Sequence, residues 1–192
     1  MTSIEFRFRF DKALQAAGMF LRLNGGCMNY MKLLKLLYLA DRESLGIDGD
    51  TITGDSVRAM PRGPVLSTIY NLIRHKDSQS VRWHRYIGRG ENYAVFLAED
   101  PGTLDLCRFE KEIIEKIYSQ YKDEHAHDLV DLTHTLPEWR KYEKRLTASG
   151  GKKSFRISNV EILEGMGKTE MLDRVKENIA AERFQHELLQ NQ

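Results

Sequence analysis

His127, Asp131 and His134 stand at i, i+4 and i+7, so a helix would carry all three on one face with Asp128 beside them. Two imidazoles and a carboxylate form a donor set that zinc accepts. The plainer account is a surface helix whose His134 bonds neighbouring backbone near Thr135, and we prefer it. Gly167-Lys168-Thr169 matches the end of a phosphate-binding loop. That loop needs another glycine five positions earlier, where this chain has Ile162. Without it the amides cannot curl onto a phosphate. Gly88-Arg89-Gly90 is too short for a dinucleotide fingerprint and reads as the tip of a hairpin. There is no Gly-x-Ser-x-Gly elbow and no cysteine with a clear base. The carboxylate pairs Asp41/Glu43 and Glu110/Glu112 are what charged helix faces routinely produce. No catalytic residue, metal or cofactor is expected, and nothing argues for an enzyme.

Residues suited to binding are more plentiful. Lys32 and Lys35 interrupt an otherwise apolar stretch and, three apart, share one narrow stripe. Arg58 and Arg62 flank the Pro61-to-Pro64 turn. Arg82, Trp83, His84, Arg85 and Tyr86 form a basic run interleaved with aromatics. Such a surface fits single-stranded nucleic acid, through charge and stacking, or an acidic protein partner, through arginine and aromatic anchors. An ordinary amphipathic strand explains Trp83 to Tyr86 equally well. Phe6 and Phe8 could pair edge-to-edge with a partner, although a place in the protein's own sheet is the simpler reading. The candidate partner-binding residues are therefore Lys32, Lys35, Arg58, Arg62, Trp83, Phe6 and Phe8. Leu33, Leu37, Gly63, Pro64, Tyr70, His134 and Trp139 read as structural.

The element that must organise these residues is Asn29 to Ser44. It is apolar on nearly every side, so a helix here must be packed all round. Asn29 can cap its start and Gly46 supplies a stop. Residues 3–10 alternate apolar and charged, the pattern of a half-buried strand, and Asp11 to Leu23 reads as a helix. A short strand is expected at Asp55 to Met60. A helix from Pro64 to Arg74 follows, with Val65, Ile69, Leu72 and Ile73 inward. Trp83 to Ile87 and Asn92 to Leu97 read as a β-hairpin. Helices follow over Leu104 to Tyr121 and His127 to His134. The spacings Thr135-x-x-Glu138 and Ser158-x-x-Glu161 are capping boxes that open two more. The expectation is an α+β fold: one mainly helical domain around a central buried helix, with a small antiparallel sheet. Residues 1–165 would form the domain and 166–192 an amphipathic helical extension.

Composition narrows the class. The chain has 192 residues, 41% hydrophobic and 30% charged, with 29 basic and 28 acidic side chains. A net charge of +1 gives no global attraction to nucleic acid or anionic membrane. Cys27 and Cys107 offer no metal spacing or disulfide framework, read as small buried or semi-buried residues, and suit a reducing cytoplasm. The first ten residues lack the apolar core of a signal peptide, and no window reaches the length of a membrane span.

Met31-Lys32-Leu33-Leu34-Lys35-Leu36-Leu37-Tyr38-Leu39-Ala40-Asp41 resembles the K-L-x-K-L-L-Y-x-A pattern of the Panacea, or SocA-like, antitoxin family. Ser56 to Val65 is similar to that family's strand running into Gly-Pro-Val, with Tyr70 in the following helix. Leu129 to His134, then Pro137 and Trp139, is similar to its L-x-x-L-(S/T)-H…P-W segment, and Ile157-Ser158 with Glu161-Ile162 to its last short helix. The family commonly has an aromatic where this chain has Arg62, and the helix after Thr169 extends beyond the usual domain. The resemblance implies a non-enzymatic antitoxin of a bacterial or phage toxin–antitoxin module, neutralising a cognate toxin by direct binding. A branch of the family instead delivers its toxin to an ATP-dependent protease. Toxins paired with the family differ in kind, toxic alarmone synthetases among them, and others aimed at translation or replication fit the same expectation. A nucleic-acid-binding regulator is the rival from another class, though nucleic acid is the less expected partner. Self-association stays open.

Overall fold

Leu33, Leu34, Leu36, Leu37, Tyr38, Leu39 and Ala40 are all buried, and the helix that carries them is the hub of the molecule. The computed structural model describes residues 4–190. In chain order these form α1 (Phe10–Leu23), β1 (Cys27–Asn29), α2 (Tyr30–Asp48), β2 (Val57–Met60), β3 (Gly63–Leu66), α3 (Ser67–Ile73) and α4 (Ser80–Tyr86). Next come β4 (Ile87–Arg89), β5 (Ala94–Leu97), α5 (Arg108–Tyr121), α6 (Ala126–His134), α7 (Pro137–Ala148), β6 (Phe155–Ile157) and α8 (Asn159–Met166). A 3-10 turn (Thr169–Met171) leads into α9 (Leu172–Gln190). Helix α2 touches α1, α3, α5, α6 and α8 as well as β1 and β3. Two small antiparallel sheets complete the α+β fold, ordered β1-β5-β4 and β3-β2-β6. No helix among the described residues is long and apolar enough to cross a membrane.

Helix α2 starts as its sequence dictates, with the Asn29 side chain accepting the Met31 amide at 2.8 Å. It does not stop at Gly46. It runs on to Asp48 and ends on Gly49, which takes a left-handed φ of 71°. Gly46 has another setting: the Met166 side chain of α8 lies against it, and a Cβ there would push that flexible chain aside. The glycine marks a close helix approach instead of a helix end.

Several local expectations give way to tertiary packing. Of the strand expected at 3–10, residue 3 lies outside the described residues, and 4–9 run extended without a ladder. The alternation survives: Ile4, Phe6 and Phe8 are half-buried while Glu5 and Arg7 are exposed. Arg9 N–H donates to Thr53 O at 2.8 Å in the 50–55 loop, and residues 4–6 lie against β6, where Arg156 pairs with Glu5, without joining its ladder. The hairpin is also shorter than its sequence suggests. Ser80–Tyr86 is helical and only Ile87–Arg89 pairs with β5, in the register Ile87 opposite Leu97. Burial of Trp83 edge-on to Phe10, 6.3 Å between ring centres, outweighs the β-preference of its run.

Pro64 lies in edge strand β3, opposite Ala59 of β2, and not in a helix's first turn. Helix α3 begins at Ser67, where the Asp55 carboxylate accepts the Thr68 and Ile69 amides at 3.0 and 2.9 Å. Val65, Ile69, Leu72 and Ile73 are nevertheless inward. Helix α5 starts at Arg108, leaving Leu104 fully exposed. The box expected at Thr135 does not form, because Leu136 caps α7 and Thr135 Oγ1 donates back to Leu132 O. The Ser158/Glu161 box does form, with Ser158 N–H donating to Glu161 Oε2 at 2.8 Å. Cys27 and Cys107 are both exposed free thiols and not buried ones. Helix α9 buries Val175 and Ile179 but leaves Phe184 and Leu188 exposed.

Candidate functional site

The lysine pair does not behave as a stripe. Lys32 is half-buried and donates to Lys122 O at 2.6 Å; partial burial lowers its pKa, against the pull of Asp123 and Glu124. Lys35 is fully buried. Its Nζ donates to Arg62 O at 2.6 Å and to Pro64 O at 2.9 Å, the carbonyls on either side of Gly63. No carboxylate among the described residues pairs with it, and burial pulls its pKa down to about 7. A lone ammonium in the core is costly unless its donors are used. Here they hold a backbone turn.

Gly63 shows how tightly that turn wraps. Its φ is 92°, and a Cβ there would overlap Lys35 Nζ and lie 2.7 Å from Thr133 Oγ1. On the other flank, Trp139 Nε1 donates to Met60 O at 3.0 Å, and the Trp139 ring stacks on His134 with 3.9 Å between centres. Burial, and then the charge of Lys35, depress the His134 pKa. His134 Nε2 is buried without a hydrogen-bond partner. The Met60-to-Pro64 backbone is thus gripped at Met60, Arg62 and Pro64 by side chains from α7 and α2. Pro61 and Arg62 themselves are exposed.

This fixed turn forms one wall of a groove. Two hollows of about 230 Å³ each share Tyr30, Met31 and Arg62. The first is floored by Leu34 and Val65 and bounded by Met60 and Tyr70. The second is walled by Tyr93, His127 and Val130. Tyr30 and Tyr93 meet edge-on at 5.9 Å, and Tyr30 N–H donates to Tyr93 O at 2.9 Å. Tyr93 has a φ of 65° and follows Asn92 at 52°, a left-handed conformation unusual for a bulky residue. Tyr93 is 66% exposed all the same. The left-handed pair closes the β4–β5 hairpin turn, with Ala94 N–H donating to Glu91 O at 3.0 Å, and so sets Tyr93 at the tip.

Of the sequence candidates, the groove gathers Arg62 at its surface and Lys35 beneath it. Arg58 is turned away to Ser154, donating to its Oγ at 2.9 Å. Trp83 is wholly buried, and Phe6 and Phe8 pack against the core; none of these three presents a free anchor. His127 and Asp131 are exposed while His134 stacks inward, and no group of three potential ligands among the described residues could hold a metal. Gly167 ends α8 with a φ of 68°, and Lys168 Nζ donates to Gly46 O at 2.7 Å. Tyr30, Met31 and Tyr93 are not among the candidates the sequence offered. The one available signal was an aromatic, Tyr93, in a Gly- and Asn-containing turn.

The remaining buried charges hold elements together. Glu138 of α7 is fully buried and accepts Tyr38 Oη at 2.7 Å and Arg42 Nε at 2.6 Å. Asp41 accepts the Thr53 amide at 3.0 Å and its hydroxyl, yet burial lifts its pKa to about 7. A family model described as antitoxin SocA-like, Panacea domain, matches residues 33–140. No curated protein and no solved structure matches the chain.

Proposed function

The chain belongs to the Panacea-domain family of SocA-like antitoxins, and from that premise we propose that it neutralises a protein toxin by binding it directly through the Arg62 groove. The observation that supports this mode is the turn itself: a side chain suited to anchoring a partner, set on backbone that Lys35 and Trp139 immobilise. An anchor fixed before binding loses less entropy when the complex forms. A stable complex would bury on the order of 1,600 Å², so the groove would be its centre and α2, α6 and the β4–β5 hairpin tip its surroundings. The role we propose is non-enzymatic, since the buried acids Asp41 and Glu138 are engaged in joining elements. A nucleic-acid role is weakened by the burial of Trp83 and by the pairing of Arg82 with Asp11 and Arg85 with Glu99.

The test is co-expression with the product of the adjacent reading frame, scoring growth rescue and co-purification together. Rescue with a stable complex is the expected result. Rescue in which the partner disappears in a protease-dependent manner would transfer the reading to the adaptor branch. A harmless neighbour that fails to co-purify would remove it.

A further inference from the structure

The groove is built for one kind of charge. No carboxylate lines either hollow, and the ionisable nitrogen groups on the walls are Arg62 and His127. Two helices end there by their N-termini: Asn29 to Met31 open α2, and Ala126 and His127 open α6. Such ends carry partial positive charge. Elsewhere Arg9, Arg42 and Arg82 have carboxylate partners. The Arg62 guanidinium, though exposed, has no ion-pair or hydrogen-bond partner among the described residues. Around these groups the surface is apolar, with Met31, Leu34 and Val65 below and Tyr30 and Tyr93 beside them.

Charge complementarity on an apolar floor selects the occupant. A phosphate polymer needs a track of cations, and the groove has one permanent cation. A single carboxylate between apolar side chains matches both properties. We propose that the groove captures a segment of the toxin bearing one aspartate or glutamate flanked by apolar residues. The carboxylate sits on Arg62 and the flanks on the methionine, leucine and tyrosine surface. This inference rests on the antitoxin reading and specifies the part of the partner that is held.

The experiment uses the full chain and the protein encoded beside it. Arg62→Glu is expected to weaken their complex by about 100-fold, the range for opposing a desolvated charge contact. Arg85→Glu, a charge reversal outside the groove, is expected to leave it unchanged. With Arg62→Lys, a water-soluble carbodiimide should condense the introduced amine with the partner's carboxylate. An amide forms as the carbodiimide is converted to its urea. Peptide mass spectrometry then locates the bond. A cross-linked acid between apolar residues, whose reversal to lysine restores affinity for Arg62→Glu, would establish the contact. Tight binding indifferent to Arg62→Glu, or a cross-link absent while neutralisation persists, would overturn this inference and leave the antitoxin reading standing. A single-stranded oligonucleotide released by Arg62→Glu while toxin binding is untouched would overturn it in favour of a phosphate ligand. A wild-type chain that neither binds nor rescues would take down both.

Discussion

Lys35 brings a positive charge into the core with only carbonyls to receive it, and the consequence is measurable. In the folded protein it loses its proton at about pH 7, against about 10.4 in an unfolded chain. Between those values the unfolded state holds more protons, so stability rises with pH, by at most about 1.4 kcal/mol per unit. Asp41 acts in the opposite sense. Its folded value of about 7 exceeds about 3.9 in the unfolded chain, so the folded state holds the extra proton and stability falls as pH climbs through that interval. The two groups together place a stability minimum near neutrality. Urea midpoints from pH 5 to 9 should show it, with Lys35→Met flattening the alkaline arm and Asp41→Asn the acid arm. Arms that persist in both variants would refute the assignment. Gly63→Ala should cost about 3 kcal/mol in the same assay, because the φ is wrong for alanine and the new methyl meets Lys35 Nζ.

Helices α2, α7 and α8 meet at Glu138. Tyr38 and Arg42 reach it from α2, and Gly165 of α8 packs so close that a Cβ would run into its carboxylate. Glu138→Ala leaves a phenol and a guanidinium without their acceptor. It should cost about 3 kcal/mol by denaturant unfolding, whereas Tyr38→Phe should cost about 1. Elements dominated by their own periodicity are legible in the sequence: α2 from its leucines, α6 from its spacing, α8 from the Ser158/Glu161 box. Elements decided by distant partners are not. Trp83 reads as strand because aromatic residues favour strands, and it is helical because Phe10 of α1 waits for its ring. Phe6 and Phe8 alternate as a strand would, yet no strand among the described residues forms a ladder with them. At the site, Arg62 stood out beside its prolines. Its neighbours Tyr30 and Tyr93 did not, since only the pairing of β1 with β5 brings them together.

Across the whole molecule, the N-terminal segment and α9 are tied to the end of α2 and the residues just after it. Arg9 donates to Asp50 at 3.0 Å and to Glu182 at 3.0 Å, while Arg174 pairs with Asp48 and Asn178 donates to Asp48 O. Glu182 also accepts the Arg7 amide at 3.2 Å. Glu182→Ala should therefore speed hydrogen exchange at Arg7 and loosen residues 4–9. The groove is formed by α2, α6 and the two turns, so toxin affinity should stay unchanged. Coupled loss of both would mean that the N-terminal segment supports the binding surface.

The two tryptophans would emit different light. Trp83 is sealed in the core, but Trp139 lies flat on His134 and grips Met60, two residues from Arg62. An imidazolium quenches a stacked indole, and neutral imidazole does so far less. With its pKa depressed by burial and by Lys35, His134 should dim Trp139 only in acid below the ordinary histidine range. In a Trp83→Phe background, a partner settling onto the turn would then change the colour and brightness of a single lamp already mounted at the wall.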